Sequence, residues 1–458
     1  MNWLSSVFRY GTIRDDLVIA IILLSVPIVL FNAYFGVLMW TWIAYFNPHR
    51  YAWGIAKFFF SPAMVIGIPT LLGTLFAPKN IRLFTRETVL LAGLWLWLAF
   101  TTFYISHIPE FVGHVADATA HLEDVSKILL MTFLTILLVT SKKKLRGLVL
   151  VILASFGVRA LFAAVWFIRT GGQFQVLGPP GTFLEDNNDF ALALNMTIPM
   201  FFFMARAEPK LWMRIGLRVL MVCVIFSVIG TYSRGGLVGL AVVTLAILAK
   251  SRQKIISLLL VAIALLCIVT FSTTAWKDRM SQFLQGNLDG SAYGRLVAWG
   301  GAWNLAMDYP ITGGGFDVFT DEDVFPQYVP PSLRSFLYTK LHHLHSSHSI
   351  YFGMLGEQGF VGLGLFMALL VSSYASLRGL RSRAKTYRNL GWVVPYTHMF
   401  EVTLLAYMTS GATLGRAYFD FFYQVIACVI LLKILAKRDL RVTMPERQPV
   451  EGLEAVAA

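Results

Sequence analysis

His348 is the residue in this 458-residue chain best placed to move a proton. It opens the apolar run Ser349-Ile350-Tyr351-Phe352-Gly353-Met354-Leu355-Gly356-Glu357-Gln358-Gly359-Phe360-Val361-Gly362-Leu363, directly after the only long polar stretch. Imidazole is the side chain whose unperturbed pKa, about 6.5, lets it trade protons near neutral pH. Two arginines accompany it. Arg234, in Tyr232-Ser233-Arg234-Gly235-Gly236, stands at the mouth of another apolar run, beside glycines that allow close backbone approach. Arg295, in Tyr293-Gly294-Arg295-Leu296-Val297-Ala298-Trp299, begins a helical stretch ending at Asp308-Tyr309-Pro310-Ile311-Thr312-Gly313-Gly314-Gly315. A guanidinium keeps its charge at biological pH and grips phosphate oxygens with a planar fork. One imidazole and two arginines on one face suit a base working beside a phosphate leaving group.

Each residue also has a plainer role. Arg234 could snorkel to a membrane interface, Arg295 could pair with Asp289 or Asp308, and His348 could bond a loop carbonyl. His342, His343 and His345 are close by, and the spacing of His345 and His348 invites a metal. No cysteine or carboxylate pair completes a ligand set there, so no metal is expected. A second tier of candidates surrounds the three. The segment Glu185-Asp186-Asn187-Asn188-Asp189 is acidic and amide-rich and leads into an apolar run. Asn188 or Asp189 could simply cap that helix, or Asn187 and Asn188 could touch acceptor hydroxyls or support the arginines. Arg416 is a further cation on the same side, and His345 is a second titratable imidazole. Lys127 and Arg159 lie within apolar runs and are costly there unless paired.

The elements that must position these residues are membrane helices. The chain is 57% hydrophobic and 14% charged, with a mean hydropathy of +0.66. Soluble domains carry roughly 25% charged residues. Apolar runs approach the roughly 20 residues that cross a bilayer, and the expected fold class is all-α, a polytopic membrane protein with about twelve transmembrane helices. They fall near 17–46, 62–77, 88–105, 126–140, 145–168, 189–205, 214–230, 234–249, 254–272, 348–377, 395–411 and 418–435. The first, with Pro27 and Asn32, reads as one tilted helix or two half-helices, and a single crossing agrees with the later loops. Its length exceeds the core of a cleavable signal. Cys223, Cys267 and Cys428 lie in apolar runs and read as packing residues rather than a disulfide framework.

Net charge is +13, yet its placement argues against nucleic acid. Most of the basic residues fall on every second loop: Lys79/Arg82/Arg86, Lys142–Arg146, Arg206–Arg218, Lys250–Lys254, Arg378–Arg388 and Lys433–Arg447. That is the positive-inside pattern. The loops between them are then extracytoplasmic, and one, 272–347, is too long for a mere connector. It is rich in aromatics that could line a sugar or lipid surface or lie along the bilayer interface. The chain therefore reads as a single membrane domain over 1–458 with the 272–347 loop inserted. The tail, 441–458, is expected to be disordered.

Ser233-Arg234-Gly235, Gly294-Arg295 with Trp299 and Pro310-x-x-Gly313, and His348-Ser349 with Glu357-x-Gly359-x-x-Gly362-Leu363 together resemble the O-antigen ligase and O-antigen polymerase superfamily. The segments Tyr45-Phe46-Asn47-Pro48-His49-Arg50 and Phe183-Leu184-Glu185-Asp186-Asn187-Asn188 are most similar to its exosortase-associated O-glycosylation ligase branch. The resemblance implies a metal-independent glycosyltransferase without cofactor, in the bacterial inner membrane with its active site facing the periplasm. It implies transfer of a glycan from undecaprenyl pyrophosphate to a hydroxyl on lipid A-core, or in some relatives on protein or a growing glycan. Under it His348 is the catalytic base and Arg234 and Arg295 bind pyrophosphate, with Arg416, Asn187, Asn188 and His345 behind them. The rival of another class is a lipid-linked oligosaccharide transporter. It accounts for the spans and cations, but not for the long loop or for candidates gathered on one face.

Overall fold

The computed structural model describes residues 13–51, 61–80, 83–250, 262, 290–341 and 346–442. Among them secondary structure is helical, with no strand. The longer helices are α1 (Ile13–Phe31), α2 (Ala33–Phe46), α3 (Pro62–Thr74), α4 (Arg86–Ile105), α5 (Val115–Leu138), α6 (Lys142–Arg169) and α7 (Asn187–Ala207). They continue as α8 (Leu211–Gly230), α9 (Arg234–Lys250), α10 (Gly290–Asp308), α11 (Ile350–Thr386), α12 (Val393–Gly411) and α13 (Asp420–Val442). Five of them, α4, α6, α7, α8 and α11, are long and apolar enough to cross a membrane. The other expected spans coincide with helices that are shorter, such as α2, α3 and α9, or carry charge, such as Glu401 in α12 and Lys433 in α13. The expected span 254–272 lies outside the described residues, apart from position 262, and so does the tail beyond Val442.

Side-chain caps start several helices where the sequence changes from polar to apolar. Thr85, Ser141, Asp186 and Ser349 accept the first free N–H groups of α4, α6, α7 and α11. At the centre lies α7, packed on α6, α8, α9 and α12 and buried along almost its whole length. Two hydrogen bonds tie it to its neighbours: Asn195 donates to the Gly236 carbonyl at 2.8 Å, and Thr403 donates to the Met196 carbonyl at 3.0 Å. Carboxylates at the basic end do similar work. Glu87 accepts from Lys433 at 2.7 Å, Glu401 from Lys250 and Arg381, and Glu208 from Arg146. The basic clusters thus tie helices together as well as marking a side.

Of the two readings of 17–46, the pair of half-helices fits, and the preferred single helix does not. Residues 17–46 do not form one tilted helix. The backbone leaves helical geometry at Asn32, and α1 packs against the Pro48–Tyr51 turn that follows α2. A straight helix would carry residue 48 about 26 Å beyond Phe31, so the chain folds back, and both arms pack on α3. The run from His348 contains a break. Gly359 adopts φ 65°, ψ −171° inside α11, a conformation essentially confined to glycine. The backbone groups freed by this break are met by the Pro310–Gly315 turn. Gly314 and Gly315 N–H groups donate to the Gly356 and Glu357 carbonyls, both at 2.9 Å, and Phe360 N–H donates to the Pro310 carbonyl at 2.8 Å.

Candidate functional site

Arg234 is the first residue of α9, and Ser233 builds the corner before it. The Ser233 hydroxyl accepts from Gly236 N–H at 3.0 Å and donates to the Asn188 amide oxygen at 2.6 Å. A Cβ on Gly235 would lie 2.8 Å from Thr413 Oγ1, and one on Gly236 would lie 2.7 Å from Ala191 Cβ. The glycines let the start of α9 sit directly on α7 and the end of α12. Next to Asn188, Asp189 accepts a hydrogen bond from Arg416 at 2.5 Å. Asn187 donates to the Thr231 carbonyl at 2.9 Å. The cap of α7 is Asp186 rather than Asn188 or Asp189, and this frees the next three side chains for cross-links.

His348 immediately precedes the Ser349 cap of α11 and is held in the left-handed region at φ 49°. Such a backbone is uncommon for a non-glycine residue. Its N–H donates to Ser346 Oγ at 3.2 Å, and its Nδ1 lies 3.3 Å from the same oxygen. The loop is pinned from two sides. A Cβ on Gly415 would meet Ser346 Oγ at 3.0 Å and His348 N at 3.1 Å, so Arg416's neighbour touches the imidazole's own segment. On the other side, Trp299 Nε1 donates to the Ser347 carbonyl at 3.1 Å while its ring stacks on Phe352. Arg295 lies four residues before Trp299 on α10, about 6 Å along the axis. Asp308, at the far end of that helix, is about 20 Å along the axis from Arg295 and cannot pair with it.

The structure therefore brings Arg234, Asn187, Asn188, Arg416 and His348 together at one end of the bundle through direct packing. α10 carries Arg295 toward the same loop. His345 lies outside the described residues, as do His342, His343 and Asp289. Among the described residues no three His, Cys, Asp or Glu side chains are grouped as metal ligands. The two cations that fall within apolar runs find partners. Lys127 pairs with Glu123 at 2.7 Å and Asp124 at 3.1 Å, while Arg159 bonds the Tyr51 hydroxyl and lies over the Tyr51 and Phe190 rings.

Sequence reasoning missed a polar network behind the site. His121 Nδ1 lies 2.8 Å from Asp317, and the Asp317 N–H donates to Glu357 at 3.3 Å. His114 Nε2 lies 2.9 Å from the Gly314 carbonyl, and its Nδ1 lies 3.3 Å from Asp321. His114 ends the turn before α5 and His121 lies on α5, so no single-helix spacing in the sequence links them. Glu110 accepts from the Tyr309 hydroxyl at 2.6 Å and from Tyr328. The carboxylate's hydrogen bond pushes the Tyr309 phenol up to about 12, so it stays a donor.

Residues 219–367 match the family model for O-antigen ligase. That stretch runs from α8 through α9 and α10 into α11 and contains Arg234, Arg295 and His348. Asn187, Asn188 and Arg416 fall outside it but pack against it. No curated protein is similar enough to the chain to count as a match. Over its α8–α11 region, the chain is similar to the O-antigen ligase family.

Proposed function

We propose that this protein is a metal-independent inverting glycosyltransferase. It moves a glycan from undecaprenyl pyrophosphate to an acceptor hydroxyl, with O-antigen as the glycan and lipid A-core as the acceptor. The observation that carries this reading is the shared footing of the His348 loop, Arg416, Asn188 and the start of α9 at one end of the bundle. His348 removes the acceptor hydroxyl's proton as that oxygen attacks the anomeric carbon. The bond from that carbon to the pyrophosphate oxygen breaks on the opposite face, so configuration inverts. Arg234 and Arg295 stabilise the charge gathering on the departing pyrophosphate. Arg416 and the amides of Asn187 and Asn188 orient the groups around them. The site faces the periplasm of a bacterial inner membrane, where membrane lipid supplies the donor's carrier.

The test is transfer by His348→Ala in reconstituted membranes, with donor binding measured in parallel. General-base help is worth about 10²–10⁴-fold, so transfer should fall by that factor while donor binding persists. His345→Ala is the control. Loss of transfer in His345→Ala but not in His348→Ala would assign the base to the wrong imidazole, and loss only on chelation would favour a metal.

A further inference from the structure

A groove of about 770 Å³ lies between α2, α3, α5 and the Gly181–Leu184 turn. Its lining combines the apolar Trp40, Ile43, Ala44 and Phe183 with the cations Arg50, Lys127 and Arg416. The three cations differ in what offsets them. Lys127 is held by Glu123 and Asp124, and Arg416 by Asp189. Among the described residues no carboxylate pairs with Arg50, and its buried Nε has no hydrogen-bond partner. Its guanidinium lies across Gly181, where a Cβ would sit 2.7 Å from Nη1. Beside it the buried His49 Nδ1 also lacks a partner. Burial and the Arg50 charge lower His49 to about 4, so this ring is neutral near pH 7. Two acids also reach the groove. Asp124 is engaged by Lys127, and Asp420 accepts the Phe421 N–H at 2.7 Å.

Buried polar atoms without partners call for a ligand, water or ion to satisfy them. A cation beside apolar side chains selects an anionic headgroup with a hydrocarbon tail. Arg234, Arg295 and His348 do not line this groove, whereas Arg416 does, and Arg416 adjoins the glycine packed on the His348 loop. We propose that the groove seats the acceptor, an amphiphile whose phosphate is held by Arg50 and whose sugar hydroxyl reaches past Arg416 toward His348. This rests on the transferase reading, in which Arg234 and Arg295 hold the donor's pyrophosphate.

The full chain in lipid nanodiscs would be titrated with monophosphoryl lipid A and with its dephosphorylated form. A charge-assisted contact of this kind is worth about tenfold or more in affinity. Wild type should prefer the phosphorylated probe by at least about that factor, Arg50→Gln should erase the preference, and Arg50→Lys should keep part of it. Phosphatidylglycerol in excess should not compete. An unchanged preference in Arg50→Gln would overturn the proposal. So would equal competition by phosphatidylglycerol, which would make Arg50 an ordinary contact to bulk lipid headgroups. Binding is read without turnover, so the two readings fail separately. Absent transfer with an intact Arg50 effect would overturn the transferase reading and leave the phosphate site standing.

Discussion

Guanidinium and imidazole divide the proposed chemistry by what each can do to a charge. Arg234 and Arg295 should act through fork geometry on the departing pyrophosphate, so Arg234→Ala and Arg295→Ala should each cut transfer by about 10²-fold or more while the protein still inserts and folds. Lysine at either position should rescue poorly, because a point charge does not reproduce two parallel hydrogen bonds. Full activity in both lysine variants would reduce the arginines to simple attraction. An imidazole base works only when neutral. Transfer should therefore decline with acid as the imidazole takes up a proton, and the residual activity of His348→Ala should lack that decline. These residues were legible because each interrupts an apolar pattern. The His121–Asp317 pair was not, since its partners are far apart in sequence and either would pass alone for a surface residue.

Among the elements, the broken α11 is where structure added most. The Gly313-Gly314-Gly315 and Glu357-x-Gly359 motifs dock on each other, backbone to backbone, and place the His348 end of α11 relative to α10. A Cβ on Gly359 would stand 2.4 Å from the Ile311 carbonyl oxygen, and φ there is 65°. Gly359→Ala should therefore destabilise the protein by at least about 1–3 kcal/mol, read as a lower midpoint of thermal unfolding in detergent. An unchanged midpoint would mean that the break is not needed. At the basic end, the fully buried Glu401 carboxylate holds both Lys250 and Arg381. Glu401→Ala would leave those cations without it, at a cost of about 3–5 kcal/mol. Hydropathy located most of the described helices, with ends off by as much as about a dozen residues, as where α5 begins at Val115 rather than near 126. It could not locate the reversal at Asn32 or the break at Gly359, because both are backbone events inside apolar runs.

For the whole molecule, charge asymmetry gave the sidedness on which the account depends. Arg234, Asn187, Asn188 and His348 stand at the helix ends opposite the buried, basic-paired Glu87, Glu208 and Glu401. A cysteine introduced at Asp117 should react with an impermeant thiol reagent applied to intact inner membranes from the periplasmic side, and one introduced at Lys143 should not. The reverse pattern would invert the topology. Composition alone left transfer and transport both open, since either needs many spans and cationic side chains. The measurement that separates them is reconstitution of the purified chain with a glycan on undecaprenyl pyrophosphate and with lipid A-core. The account predicts glycosylated lipid A-core and free undecaprenyl pyrophosphate in equal amounts, undiminished by chelator and lost in Arg234→Ala. Movement of the intact donor across the bilayer with no glycosylated product would contradict it.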